Sequence, residues 1–179
     1  MNCTACADKG CRAGRACGAE STDEMEILAR YRQEDTQSIV RSAARLVDDG
    51  LAGSLSRLEE LCRFIKDRDY RRVGMAYCYG MEKEAQRTVR YFSQNGIRVT
   101  AVSCTVGALP QNVVNAESAV CGVSCNPLGQ AAQLEAEGTD LAIQFGLCLG
   151  HDILFARAFP GDQTVLVVKD RIFGQRQLM

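Results

Sequence analysis

The sequence predicts an α/β protein: a three-layer, Rossmann-like domain of about four or five parallel strands, preceded by two helices and a small four-cysteine knuckle. Two observations carry this. Short apolar runs alternate with helix-patterned segments from residue 70 onward, which is the signature of a parallel sheet covered on both faces. Ahead of them, residues 1–20 hold Cys3, Cys6, Cys11 and Cys17 with almost no apolar bulk. A piece of that composition cannot fold by hydrophobic burial and needs a cross-link.

The domain reading is therefore a knuckle over 1–20 and an α/β domain over 21–179, with a helical lead-in over 21–67. Ser21 is read as an N-cap, with Glu24 three residues on to complete a capping box. Met25, Leu28 and Ala29 begin an apolar stripe that Ile39, Val40, Ala43, Leu46 and Val47 continue at helical spacing. Asp48-Asp49-Gly50 ends that helix. Ser56 caps the second, whose inner face is Leu58, Leu61, Cys62 and Ile65; Cys62 falls on that stripe and reads as core. Then come the alternating elements. Val73 to Cys78, Ile97 to Cys104, Leu141 to Cys148 and Thr164 to Lys169 are the strand-like runs. Glu82 to Gln94, Pro127 to Glu137 and Asp152 to Phe159 are the helices between them, and Thr105 to Ser124 is a long loop with Gly107, Pro110 and Gly122.

Composition narrows the function. The chain has 179 residues, 46% hydrophobic and 24% charged, with net charge −1. It lacks the basic excess of a nucleic-acid binder, so no nucleic-acid partner is expected. The longest uncharged run, Val99 to Ala116, contains Gly107, Pro110, Gln111 and two asparagines, so no membrane span is expected. Met-Asn-Cys-Thr-Ala-Cys carries no basic-then-apolar leader pattern, and the expected location is cytoplasmic. There are 10 cysteines against one histidine and no tryptophan. That density is below the roughly 8–10% of a disulfide-built secreted scaffold. Reduced thiols in such numbers point to metal or redox chemistry.

The positions of the cysteines sharpen this. Cys78, Cys104 and Cys148 each end a strand-like run, and Cys125 lies just before a helix, at steps of twenty-odd residues. In a parallel sheet all four fall on the carboxyl edge, where open α/β sheets bind ligands. Gly80, Gly107 and Gly150 follow these cysteines closely and permit tight strand-to-helix turns and close backbone approach. A cysteine near a helix N-terminus is favoured as thiolate. Cys121, four residues before Cys125, is an alternative or additional ligand. Lys169 and Arg171, beyond the last strand, read either as a solvated turn or as charges offsetting a cluster or anion. His151, the lone histidine, caps or ligates beside the same edge, or satisfies a local hydrogen bond.

The spacing Cys3-x2-Cys6-x4-Cys11-x5-Cys17 gathers four thiolates, which suit tetrahedral zinc or a [4Fe–4S] cluster. At the sheet edge, four thiolates without carboxylates favour an iron–sulfur cluster. The expected function is thus a metal-binding, iron–sulfur protein with a second cysteine-lined site, serving as a redox or electron-transfer module. A redox partner protein or a small-molecule ligand goes with that reading, and a homodimer is compatible with the near-zero net charge. Two rivals stand. One is a structural zinc knuckle on a small-molecule-binding domain. The other is a Cys-dependent hydrolase, because Gly146-Leu147-Cys148-Leu149-Gly150 fits the nucleophile-elbow pattern.

These segments also resemble a known family, domain of unknown function 1847, found largely in anaerobic bacteria and archaea. The resemblance rests on the Cys3 to Cys17 cluster, Ser56-Arg57-Leu58-Glu59-Glu60, Val73-Gly74-Met75-Ala76-Tyr77-Cys78, and Cys125-Asn126-Pro127-Leu128 followed by Gln130-Ala131. Gly146-Leu147-Cys148-Leu149-Gly150-His151-Asp152 and the stretch Val165 to Arg171 complete it. What it implies is metal binding, with no assigned reaction.

Overall fold

The computed structural model describes residues 2–15, 23–172 and 174. Cys17 and Ser21, both named above, lie outside the described residues. The chain divides into two compact units, residues 1–45 and 46–179.

In the first unit, residues 2–15 form two single 3-10 turns, Cys3–Ala5 and Gly10–Ala13. The Asn2 side chain accepts the Thr4 N–H at 3.1 Å and so caps the first turn. Lys9 adopts a left-handed conformation (φ 48°) and its N–H donates to the Cys6 sulfur at 3.4 Å. Of these residues Gly10 alone is buried, so apolar packing does not hold the segment together. Helix α1 (Glu24–Tyr31) is capped by Asp23, whose carboxylate accepts from Met25 N–H and Glu26 N–H. Helix α2 (Glu34–Asp48) follows after a break at Arg32 and Gln33. The first of the two expected lead-in helices is therefore two. The acidic pair Glu34-Asp35 opens the second, where a helix N-terminus favours negative charge.

In the second unit, helix α3 (Arg57–Asp67) begins on Ser56 with a complete capping box to Glu59, as expected. Strand β1 (Val73–Tyr77), helix α4 (Glu82–Gln94) and strand β2 (Val99–Ser103) come next. The long loop contains a short helix α5 (Gln111–Val114) between two antiparallel arms bridged at Pro110 and Val123. Helix α6 (Pro127–Ala136), strand β3 (Leu141–Phe145), helix α7 (His151–Ala158) and strand β4 (Asp162–Val167) complete the unit. The four strands are all parallel, in the order β2-β1-β3-β4.

Strand alternation divides the core between the two faces. Val73 and Met75 of β1, with Leu141, Ile143 and Phe145 of β3, pack against Leu61, Cys62 and Ile65 of α3 and Ala85 and Phe92 of α4. Ala76 and Ala142 face the other way, against Ala131 and Leu134 of α6 and Phe155 of α7. Helices on both faces make three layers. The small residues on the second face let α6 lie close to the sheet. A Cβ added at Gly74 would meet Leu134 Cδ2 at 2.7 Å, so that approach requires glycine. Among the described residues no helix is long and apolar enough to cross a membrane.

The strand order fixes where a ligand can enter. The chain moves outward from β1 to β2, then crosses back to β3 on the other side of β1. The carboxyl ends of β1 and β3 therefore flank a crevice at a topological switch point, the ligand site of open α/β sheets.

Candidate functional site

Cys78 directly follows β1, and its N–H is held by the Phe145 carbonyl at 3.1 Å. Its own carbonyl accepts the Met81 N–H at 2.8 Å, closing a 3-10 turn over Tyr79–Met81. Cys104 follows β2, with its N–H on the Tyr77 carbonyl at 2.9 Å. The Asn126 N–H donates to the Cys104 carbonyl at 2.7 Å, which docks the Cys125 loop against the end of β2. Asn126 then caps α6 by accepting the Gly129 N–H at 2.8 Å. Cys148 lies beyond β3, and its carbonyl receives the His151 and Asp152 N–H groups that start α7. Gly146 makes the preceding turn at φ +64°, and a Cβ there would lie 2.1 Å from Met81 Sδ.

These four cysteines come from three connections, Cys104 and Cys125 from the two ends of the one between β2 and α6, and meet at one edge. Cys78, Cys125 and Cys148 line a cavity of about 480 Å³ with Tyr79, Gly80, Leu149, His151, Lys169 and Arg171. That volume is within the roughly 300–1,000 Å³ range of small-molecule and cofactor sites. Cys104 sits behind the wall, 1% exposed, with its sulfur 3.6 Å from Cys125 Sγ.

Several donors at this edge point to sulfur. The Tyr79 N–H donates to Cys104 Sγ at 3.3 Å. The Gly80 N–H and the Cys104 thiol both bond the Cys78 sulfur. Lys169 Nζ stands 2.8 Å from Cys78 Sγ, and Arg171 Nη2 stands 3.1 Å from Cys148 Sγ. The thiols respond differently. Burial pushes the Cys78 thiol up, but the ammonium, the Gly80 N–H and Cys104 together outweigh it and hold Cys78 below the usual thiol range. Cys104 is pushed up to about 12, first by burial and then by its sulfur neighbours, despite the Tyr79 N–H. Burial also raises Cys148. Of these thiols, Cys78 alone is lowered, while Cys104 and Cys148 are raised.

The other residues singled out from the sequence fall as follows. Gly80 and His151 are on the cavity wall, and Gly150 (φ +89°) forms the N-cap of α7 beside it. Gly107 (φ +79°) is not among the wall residues; it makes a turn packed against the Asn126 side chain. Cys121 is exposed on the far arm of the 105–124 loop. Cys3, Cys6 and Cys11 are exposed in the first unit.

Gln130 is a positioning residue that pattern reading did not single out. It is fully buried, and its Nε2 donates to the carbonyls of Val102 at 2.8 Å and Tyr77 at 3.1 Å. It ties the ends of β1 and β2 together just beneath Cys78 and Cys104. Its Oε1 has no partner. The signal was a glutamine flanked by apolar residues in the first turns of α6, a position that reads as an ordinary helix surface.

Among the described residues no three His, Cys, Asp or Glu side chains stand ready around one metal ion. The donor set nevertheless fits a soft metal in kind: four sulfurs, with no carboxylate on the cavity wall. N–H bonds to sulfur are compatible with ligation, because a metal-bound thiolate still accepts them.

The chain is 34% identical over 177 residues to an uncharacterized protein of Methanocaldococcus jannaschii, a match covering 97% of this chain and 90% of that protein. No solved structure matches the chain. Residues 17–166 match the family described as "Protein of unknown function (DUF1847)". A match of that extent, with a relative aligned over most of both chains, places the chain in this family: it is a cysteine-rich α/β member of DUF1847.

Proposed function

We propose that Cys78, Cys104, Cys125 and Cys148 hold a soft-metal centre at the carboxyl edge, an iron–sulfur cluster of the four-iron type, and that the protein works as an electron-transfer or redox module. The observation that supports this above the others is the convergence of four sulfurs from three connections on the switch-point crevice, each sulfur within a few ångströms of a donor or another sulfur. A cluster bound there supplies one-electron transfer. Cys3, Cys6, Cys11 and Cys17 are proposed to hold a second centre, zinc or cluster. The Lys9 N–H on the Cys6 sulfur supports thiolate chemistry in that segment.

A specific distance favours a second reading, zinc at the edge. Two thiolates on one tetrahedral zinc at about 2.3 Å lie about 3.8 Å apart. Cys104 and Cys125 are 3.6 Å apart. A hydrolase acting through Cys148 has less support. The group at its sulfur is the Arg171 guanidinium, which stays protonated and cannot serve as a base.

The test is metal and acid-labile sulfide content of anaerobically purified protein, with its absorption spectrum. Iron, sulfide and a broad band near about 400 nm are expected. Cys148→Ala removes the edge share of the metal and Cys3→Ala the N-terminal share. Zinc without sulfide selects the second reading. Metal-free protein in which all four edge cysteines alkylate freely in the native state overturns both.

A further inference from the structure

The segment after β4 contains two cations, and each meets a different sulfur. Lys169 reaches Cys78, 91 residues away in sequence, and Arg171 reaches Cys148, 23 residues away. Hydrogen bonding of β4 to β3 carries the segment to the crevice. The turn beyond is fixed by Asp170, whose carboxylate accepts the Ile172 N–H at 2.9 Å. Cys78, Cys148 and Arg171 all act on the Lys169 ammonium, and no carboxylate is among the described residues that line the cavity with it. Asp152, the acidic residue nearest in sequence to Cys148, is bonded to the N–H groups of Gly150 and Ile153.

Elsewhere in this unit, arginines meet carboxylates. Arg68 pairs with Asp162, Arg71 with Asp69 and Arg72 with Asp140. A cation drawn against half-buried sulfur without a carboxylate is costly unless the sulfur site is itself anionic. A dipositive core held by four thiolates carries two negative charges, whether it is zinc or an oxidised four-iron cluster. The structure supplies two cations at that place.

We infer that Lys169 and Arg171 are the charge balance of the edge centre, one cation on each of two ligand sulfurs, and that they set its affinity and its potential. This rests on the metal-centre reading above. It also specifies the occupant: a core that is dipositive at rest, so that the loaded site is neutral and reduction adds the first net negative charge. The two cations are unequal. Lys169 is half-buried and contacts a sulfur that is 3% exposed, where water screens little. Arg171 is exposed and contacts a half-buried sulfur. Lys169 therefore has the larger effect.

The experiment uses the full chain, purified anaerobically, with Lys169→Met, Arg171→Met and Lys169→Arg beside the parent. Metal content, resistance to a competing chelator and midpoint potential are read. Lys169→Met is expected to lower metal affinity by about 10- to 100-fold, the range seen when outer partners of metal ligands are removed. It also shifts the midpoint potential of a redox-active centre downward, because the reduced state loses its nearest cation. Arg171→Met moves both in the same direction by less, and Lys169→Arg restores most of the loss. Equal affinity in parent and Lys169→Met, with equal potential where the centre is redox-active, overturns this inference while leaving the metal centre standing. A parent with no metal dependent on Cys148 overturns the metal centre, and the charge-balance inference with it.

Discussion

The two edges of the sheet use the same cations against different partners. At the amino edge, Arg68, Arg71 and Arg72 face Asp162, Asp69 and Asp140. Asp140 accepts the Arg71 and Arg72 N–H groups at 3.1 and 2.9 Å, and Tyr70 donates its hydroxyl to Asp162. Burial, with the bond to Asp162, pushes the Tyr70 hydroxyl up to about 12. These three arginines are matched within the chain, and the arrangement ties the start of β1 to the starts of β3 and β4. At the carboxyl edge, Lys169 and Arg171 face sulfur. That edge is matched only if the sulfurs bear charge, which is a requirement of a ligand site and not of a fold. On the function proposed above, the difference is that one edge is built for stability and the other for an occupant.

The largest effect expected is at the carboxyl edge. Cys78→Ser removes the sulfur that Lys169 and Gly80 contact, and the edge metal should be lost from the purified protein. Asp140→Asn at the opposite edge should leave the metal content at the parental value. Elemental analysis of the two variants side by side checks this. Loss of metal in both, or in neither, breaks the contrast between the edges.

Next in size is Gln130→Leu, which belongs to both roles. Its amide closes the carboxyl ends of β1 and β2 on the second core face. Substitution removes two buried hydrogen bonds and leaves the Val102 carbonyl without its side-chain donor, at about 1–3 kcal/mol. The unpartnered Oε1 goes as well, which offsets part of that cost. Urea unfolding measures the stability, and chelator competition measures the metal. Both should fall together, because the residue holds Cys78 and Cys104 through the backbone.

Much of this arrangement was legible in the sequence. Val73 to Cys78 and Leu141 to Cys148 read as short apolar runs because β1 and β3 are covered on both faces and so are continuously apolar, though β3 stops at Phe145 and Cys148 lies beyond it; Ile97 to Cys104 contains the partly exposed edge strand β2. Ser56 and Glu59 are local chemistry and form the capping box they spell. The break between α1 and α2 was missed because Arg32-Gln33 contains neither glycine nor proline, and the acidic Glu34-Asp35 was its only mark. Gly107 was taken with the site because a glycine after a strand serves a turn as readily as a ligand. Its neighbour proves to be Asn126, at the far end of the connection between β2 and α6. The amino-edge pairs of Asp140 and Asp162 were illegible because they depend on long-range register, as when Asp140 meets Arg71 and Arg72 across β1 and β3.

Asp140→Asn is expected to have a middling effect on stability, and that effect depends on pH. Burial pushes its carboxyl up, but the Arg72 and Arg71 N–H groups and the Arg72 guanidinium outweigh it and hold it below the usual carboxylate range. A carboxyl lowered by folding stabilises fully above its unfolded value, near about 4, and loses that contribution as pH falls through the folded value. The gap in unfolding free energy between parent and Asp140→Asn should be about 1–2 kcal/mol at neutral pH. It should narrow in acid below about pH 4. Urea titrations at the two pH values check the sign. A gap that widens in acid would show that the carboxylate is not what the two N–H groups require.

The smallest effect discriminates best between the edges. Arg71 and Arg171 are both exposed arginines, each with a partner at about hydrogen-bond distance: Asp69 at 2.8 Å and Cys148 at 3.1 Å. Exposed ion pairs contribute about 0–1 kcal/mol and weaken with salt. Arg71→Ala should therefore change stability by less than about 1 kcal/mol and leave metal affinity untouched. Arg171→Met should change stability as little, because its guanidinium is equally solvated, yet it should weaken metal retention. If the two variants are indistinguishable by chelator competition, the sulfur partner gives Arg171 no more consequence than a carboxylate gives Arg71. If they separate while their unfolding curves coincide, the carboxyl edge is set apart by what it binds and not by what it holds together.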